Sequence, residues 1–357
     1  MKNEKNDYKE KLTLVGFGWA SIGFLQYINT NKYDVHLISD NLSFLYTPLL
    51  AQNVNKNRNL EIHAKSMNKK FSIIQGKVNE VDFKNKIIKC DHFQDNFEHL
   101  IFSHGASVNT FNIPGVEKYT YFLKTAKDLE VLKAEVKKLQ DGSHIVVIGC
   151  GLTGSELIGT LNDMNKFKIT AIDALPRPLM MFDESLSNKA LSLWKKQNVS
   201  AYFNSLVTKI EEKSLLLKSN NKINFDLAIW CGGIKENSLT LHVNKSLNRS
   251  NNKGIQVNEY LEIDDNSKIY ALGDCALTGN PPTAQVAYQQ GIYLAKKMNS
   301  GKNDKFVFEN RGQIGYIGNY QSVFQNNQIS GGGKMMYVVN NFIHLYNFGK
   351  IYLRSKI

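Results

Sequence analysis

Apolar residues in this chain gather into short runs of four or five, each leading into glycine or into a stretch with helical spacing. The runs at 12–15 (LTLV), 34–38 (DVHLI), 99–102 (HLIF), 145–148 (IVVI), 168–172 (KITAI), 227–231 (LAIWC) and 268–272 (KIYAL) have the length of buried strands in a parallel sheet. Between them lie a charged helical pattern at 126–139, an amphipathic stretch at 157–161 and a helical pattern at 284–298. Strands alternating with helices predict an α/β fold of two Rossmann-like dinucleotide-binding domains. A hairpin-like stretch is expected near 71–89.

The order of the runs predicts nesting. Residues 1–118 open the first domain, 119–254 form a second, and 255–303 return to the first, so the second domain is inserted in it. Residues 304–357 leave this alternation and read as a short α+β tail. A strand is expected at 312–320, a tight turn at 331–333 and another strand at 335–339. From 341 onward Phe342, Leu345, Tyr346, Tyr352 and Leu353 recur at helical spacing, beside Lys350, Arg354 and Lys356. Such an aromatic, basic stretch is a candidate for a membrane interface. Its first part, 342–348, is expected to pack onto the first domain.

Glycines supply the first chemical signal. Gly149, Gly151 and Gly154 fit G-x-G-x-x-G, with a strand before and a helix after. There backbone N–H groups and a helix N-terminus meet a pyrophosphate. Asp173 ends the next strand, about 20 residues on, where a carboxylate accepts a ribose 2′-OH. It repels a 2′-phosphate and so favours NADH over NADPH; Arg177 lies close enough to weaken that preference.

A second, imperfect fingerprint lies near the start. Gly16 and Gly18 follow residues 12–15, and Ser21 replaces the third glycine. Serine is small, so close helix–strand packing survives. The following strand ends in Ser39 and Asp40, either within reach of an adenosine ribose, with Asp40 the better acceptor. Late in the chain Gly273-Asp274 ends a strand, resembling the signature whose carboxylate accepts from the ribityl chain of a flavin. Two fingerprints imply two dinucleotides, one held as FAD and one visiting as NADH.

Composition narrows the field. The 357 residues, 42% of them hydrophobic, suffice for two or three domains with proper cores. The formal charge of +12 suggests attraction to anionic surfaces. Nucleic acid is the rival partner, but no basic helix with interleaved aromatics supports it. Cys90, Cys150, Cys231 and Cys275 form neither C-x-x-C nor a metal spacing. A disulfide reductase needs a redox pair beside its flavin, and sulfide:quinone oxidoreductases need positioned cysteines. No metal site is expected. No run of 18 apolar residues suggests a membrane span, and the N-terminal MKNEKNDYKEK, read as a frayed tail, resembles neither a signal nor a transit peptide.

The sequence resembles type II NADH dehydrogenase, the single-chain NADH:quinone oxidoreductase, over roughly residues 11–355. The resemblance is carried by GFGWASIGFL (16–25), FLYTPLLAQNV (44–54), HGASVNTFNIPGVEKYTYFLKT (104–125), WCGGIKENSL (230–239) and, most specifically, PPTAQVAYQQG (281–291). It implies that Gly16, Gly18, Asp40, Gly273 and Asp274 hold FAD, with Thr47, Pro48 and Gly105 along the isoalloxazine. Gly149, Gly151, Gly154, Asp173 and Gly233 would serve NADH, and Glu156 would stand near nicotinamide and flavin. Ala284 would also contact the cofactor, at the head of a helix that presents Gln285 and Gln289, the implied glutamine pair at the quinone side. The implied activity carries a hydride from NADH to FAD and two electrons to a quinone, without proton pumping. The implied location is cytoplasmic or peripheral on the inner side of a membrane, and a homodimer is open. Family members usually continue for tens of residues into bilayer-anchoring helices; this sequence ends at Ile357. A soluble NADH oxidase or diaphorase, and a non-catalytic NADH-sensing flavoprotein, remain as alternatives.

Overall fold

The computed structural model describes residues 8–67, 70–250, 253–265 and 268–356; most of the expected frayed tail, residues 1–7, lies outside them. Strand β1 (Glu10–Val15) runs into helix α1 (Trp19–Leu25) and returns as β2 (Tyr33–Ser39). Strands β3 (Ser72–Gln75) and β4 (His99–Phe102) join the same parallel sheet. Leu12, Leu14, Leu37, Ile101 and Phe102 are fully buried, each such burial contributing about 1.5–3 kcal/mol. The expected hairpin is present, without the first residues of the expected stretch. β3 pairs in parallel with β2, and the antiparallel pair is Val78–Asp82 with Ile87–Cys90.

Helix α2 (Ala126–Lys138) starts the second unit with a capping box: Thr125 Oγ1 accepts from Asp128 N, and the Asp128 carboxylate accepts from Thr125 N. Then come β5 (His144–Ile148), α3 (Leu152–Asn162), β6 (Lys168–Ile172), α4 (Glu184–Lys196), β7 (Ser200–Tyr202) and β8 (Leu227–Trp230). Their sheet is parallel, in the order β7-β6-β5-β8. Strand β9 (Ile269–Ala271) then pairs with β4, completing the first sheet as β9-β4-β1-β2-β3. Because a late strand closes the early sheet, the second sheet is an excursion from the first.

Helix α5 (Ala284–Ser300) lies along α1 at close range. A Cβ at Gly291 would stand 2.0 Å from the Ala20 carbonyl oxygen, so only glycine fits there. This contact brings the start of α5 to the mouth of the first glycine turn.

The tail corrects three expectations. Residues 331–333 are not a tight turn but belong to strand β12 (Ser330–Gly333), the third of an antiparallel sheet with β10 (Gln313–Gly318) and β11 (Gln321–Gln325). Residues 335–339 are not a strand: helix α6 spans Lys334–Lys356. Val338 and Val339 favour strands locally, but tertiary anchors override that propensity. Asn340 Nδ2 donates to Ser322 Oγ at 3.1 Å, His344 Nδ1 lies 3.1 Å from Tyr46 Oη, and Gln26 Nε2 donates to Ile351 O at 2.8 Å and Ser355 Oγ at 3.1 Å. These partners also invert the expected packing. Asn340, His344, Ile351 and Ser355 face inward, whereas Phe342 is 68% and Leu345 74% exposed. Tyr346 also points out; Phe348 is half-buried, with its ring 5.3 Å from that of Tyr46. Among the described residues no helix is long and apolar enough to cross a membrane.

Candidate functional site

β1 delivers its chain into a turn that L side chains resist. Gly16 has φ +94°, and a Cβ there would stand 2.6 Å from His104 Cα. Gly18 caps α1, and a Cβ on it would meet nothing within 4 Å. Ser21, fully buried, donates from Oγ to Gly16 O at 2.6 Å and lies 2.7 Å from Ser103 Oγ. The serine thus replaces the third glycine with a hydrogen-bonded tie between turn and sheet. At the end of β2, Ser39 Oγ donates to Asn41 O at 2.6 Å, whereas Asp40 is exposed and accepts from Asn41 N at 2.9 Å. Asp40, Gly16, Lys77 and His104 line a cavity of about 610 Å³. His104 Nε2 is a buried atom with no hydrogen-bond partner, and Nδ1 lies 2.9 Å from Asn237 Nδ2. Burial pushes the imidazole down to about 4, so it is neutral near pH 7.

A second cavity, of about 350 Å³, opens beyond α1. Gly18, Gly105 and Gly233 line it, and a Cβ on any of the three would meet nothing within 4 Å. Bare backbone therefore faces an open slot, the cradle that a flat cofactor and its phosphates need. Thr47 and Ala284 line the slot, and Trp19 Nε1 donates to Thr47 Oγ1 at 2.9 Å. Pro48 is not among the lining residues. Gly273 N donates to Gln290 Oε1 at 2.7 Å, which fixes the Gly-Asp turn. Asp274 lines both this slot and a neighbouring cavity of about 450 Å³. Burial raises its carboxyl and the nearby Lys124 ammonium opposes that rise, while burial lowers Lys124. Lys124 lines both the 350 and 610 Å³ cavities, so one cation stands where they meet.

The second turn is built more tightly. Gly149 has φ +95°, and a Cβ on Gly154 would stand 1.8 Å from Gly149 O, so no serine fits there. Gly151 caps α3 with open space before it, and Thr153 of this turn lines the 350 Å³ slot. Asp173 braces the turn with both oxygens: Oδ2 accepts from Cys150 N at 2.6 Å and Oδ1 from Leu175 N at 2.9 Å. Each carboxylate oxygen retains acceptor capacity for a ribose hydroxyl. Arg177 is turned inward. Its Nη1 donates to Phe182 O at 3.0 Å and to Ser187 Oγ, which removes it as a counter-charge for a 2′-phosphate.

Three residues with implied catalytic roles are engaged elsewhere. Glu156 is buried in α3, its Oε1 accepting from Tyr316 N at 3.1 Å, and burial pushes its carboxyl up to about 8. Gln285 accepts from Arg311 N at 2.8 Å and donates to Gly312 O at 3.1 Å. Gln289 accepts from Glu309 N at 3.0 Å and donates to Glu309 O at 2.9 Å. None of the three lines the cavities described above. Both glutamine amides thus bond to the backbone of residues 309–312, and each keeps a further donor and acceptor position.

Lys124, His104 and Gln290 were not singled out from sequence. Lys124 closes the Phe-Leu-Lys run and Gln290 is the second glutamine of the YQQG string, so both lay inside the motifs that carried the resemblance. The four cysteines are free thiols. Burial pushes Cys231 and Cys275 up to about 12, Cys90 up to about 11 and Cys150 well above its ordinary value, so all four stay protonated and poorly nucleophilic.

The chain is similar to known proteins. A probable NADH dehydrogenase of Dictyostelium discoideum is 28% identical over 98% of this chain and 87% of its own length. A probable mitochondrial NADH-ubiquinone oxidoreductase of Schizosaccharomyces pombe is 29% identical over 82% of this chain, which spans 62% of that protein. The structure of NDH2 from Plasmodium falciparum in complex with NADH superposes with a TM-score of 0.88 at 22% identity, covering 98% of each chain, and so shares the fold. The model of the pyridine nucleotide-disulphide oxidoreductase family matches residues 10–291, both glycine turns and the Gly273-Asp274 turn included, and the chain belongs to that family.

Proposed function

We propose that this chain is a type II NADH:quinone oxidoreductase, with FAD as its resident cofactor and NADH as its visiting substrate. The observation that carries this reading is the slot into which Gly18, Gly105 and Gly233 present bare backbone, flanked by Asp274, with the second glycine turn at its edge. When bound, FAD supplies a centre that takes a hydride from NADH and returns two electrons to a quinone.

The chain's own residues bind and orient. The Gly16–Gly18 turn and the N-terminus of α1 take the FAD pyrophosphate, Asp40 the adenosine ribose and Asp274 the ribityl hydroxyls. Gly149–Gly154 and α3 take the NADH pyrophosphate, and Asp173 the ribose. Trp19 holds Thr47 at the slot wall. High thiol pKa values argue against cysteine-based sulfide or disulfide chemistry.

The Schizosaccharomyces pombe relative is named a probable NADH-ubiquinone oxidoreductase, and a membrane-dissolved acceptor fits helix α6. Its buried face carries polar Asn340, His344 and Ser355, while Met335, Val338, Phe342, Leu345 and Leu353 are exposed. Residues 334–357 contain Lys334, Lys350, Arg354 and Lys356 and no acidic residue. An apolar stripe flanked by cations suits an anionic lipid surface. Flotation with vesicles containing anionic lipid tests this; dimerisation through the same stripe, read by light scattering without lipid, is the competing outcome.

The activity is tested by anaerobic titration. NADH bleaches the flavin absorbance of the purified protein, and a ubiquinone analogue restores it faster than air does. Restoration by air alone would select the soluble oxidase reading. Binding of NADH without bleaching would select the sensor.

A further inference from the structure

The 350 and 610 Å³ cavities share a seam, and the seam carries one charge. Gly18, Ser103, Gly105, Val108 and Lys124 line both cavities. The first four precede the crossover of the chain to the second sheet, and Lys124 follows it. Tyr121 N donates to Ala228 O at 2.9 Å and Tyr121 O accepts from Trp230 N at 2.8 Å, which joins residue 121 to strand β8. Three residues on, Lys124 N donates to Asp128 Oδ2 at 3.0 Å, within the cap of α2. Lys124 is therefore held between the second sheet and α2. Its ammonium is near enough to Asp274 for each charge to act on the other.

Charge along the two cavities runs in the order that FAD requires. Asp274 lines the 350 Å³ slot and not the larger cavity, Lys124 lines both, and Asp40 lines only the larger. Acceptor, cation and acceptor thus follow one another, as ribityl hydroxyls, phosphates and ribose hydroxyls do along the cofactor. Two other charged residues line the larger cavity. Lys77 is exposed, and the Asp128 carboxylate already accepts from Lys124 N and Thr125 N. Among the described residues Lys124 Nζ and the Asp274 carboxylate meet no hydrogen-bond or ion-pair partner, although burial weighs on both. A charge withdrawn from water without a partner is costly. The arrangement suits a ligand that bears hydroxyls beside an anion.

We infer that Lys124 takes the FAD phosphate next to the ribityl chain, and that through Lys124 the resident cofactor fixes the start of α2 against the first sheet's cavities. The identity of the cofactor rests on the proposed function; the place of Lys124 at the seam does not. FAD is then held from both sides of the crossover, by the first glycine turn and by Lys124. No other cation lines the seam, so removing this ammonium both weakens FAD and frees residues 121–128.

The test uses the full chain loaded with FAD and three variants: K124Q, K124R and K127Q. The last is a charge control, since Lys127 is exposed on α2. Flavin retention on serial dilution and ultrafiltration reads affinity. K124Q raises the Kd for FAD about tenfold or more, as loss of one charge-assisted hydrogen bond does, while K124R stays within about threefold and K127Q is unchanged. Phosphorus NMR of the loaded protein reads the contact: one of the two FAD resonances moves in K124Q and neither moves in K127Q. Hydrogen exchange followed by mass spectrometry, at saturating FAD, reads the coupling. Residues 121–128 exchange about tenfold faster in K124Q than in the wild type, while residues 16–25 exchange alike. Unchanged Kd and resonances in K124Q overturn the phosphate contact. A raised Kd with unchanged exchange over 121–128 overturns the coupling. Equal loss of affinity in K124R and K124Q, with exchange raised throughout both sheets, marks a packing role and overturns both. A wild type that takes up no FAD overturns the proposed function itself, whereas flavin that is bound and bleached by NADH with Lys124 inert overturns this inference alone.

Discussion

The two glycine turns are built from one motif and solve different problems. The first is flanked by two cavities, has Gly18 facing open space and keeps Asp40 exposed as an acceptor. It tolerates Ser21 because the hydroxyl bonds to Gly16 O and Ser103, on the sheet side of the turn. In the second, Gly154 packs so close to Gly149 O that any side chain is excluded, and Asp173 is already tied to two backbone N–H groups. The difference suits a resident cofactor surrounded by protein on one side and a visitor that meets a rigid, pre-braced turn on the other. Pre-bracing lowers the ordering cost of each binding event.

Breaking the second turn gives the largest expected effect. Gly154→Val drives side-chain carbons into Gly149 O, and NADH-dependent flavin reduction falls about 100-fold or more while FAD content is unchanged. Stopped-flow reduction together with the flavin absorbance of the purified protein reads both, and loss of FAD instead would erase the division between the turns. Next, Asp274→Ala acts on the resident side. A hydrogen bond to a charged group is worth ~1.5–3 kcal/mol, so FAD affinity falls about tenfold to 100-fold and flavin is lost on gel filtration. Tightly retained flavin would reduce Gly273-Asp274 to a structural turn.

Asp173→Ser sharpens the comparison on the visiting side. Removing the carboxylate narrows the ratio of kcat/KM for NADH over NADPH about tenfold, one charge-assisted contact. Because Arg177 is held by Phe182 O and Ser187, NADPH gains only the relief of repulsion and no new counter-charge, while NADH loses its acceptor. Equal use of both nucleotides by the wild type would contradict the assignment.

Glu156 gives the smallest effect, and it is read in pH. Its folded value of about 8 lies above the ordinary 4.5, so between these limits the native state binds more protons than the unfolded chain. Its contribution is fully present below 4.5 and is lost as pH rises toward 8. Glu156→Gln keeps an oxygen for Tyr316 N and flattens that part of the Tm–pH curve, leaving the variant more stable than wild type at the alkaline end. A parallel pair of curves would show that the carboxyl titrates normally.

Most of the fold was legible because its signals are local. Glycine spacing, four-residue apolar runs and an acid at a strand end marked β5, α3 and β6 without any tertiary information. Lys124 was not legible as a site residue, since its meaning comes from meeting Asp274, brought from far along the chain in the turn after β9. Helix α6 was read inside out for the same reason. Asn340, His344 and Ser355 face inward only because Ser322, Tyr46 and Gln26 are there to receive them, and an apolar stripe alone points to the core. Gln285 and Gln289 were legible as a pair on one helical face, but the segment at 309–312 that they bond to is brought there by the tertiary fold alone.

The central claim is that one turn keeps its dinucleotide and the other exchanges it. Purified protein incubated with excess FAD and NAD⁺ and passed rapidly through a desalting column tests this directly, with both nucleotides counted afterwards by chromatography of the denatured sample. The account predicts close to one FAD per chain and almost no NAD⁺. Retention of both, or of neither, would contradict it.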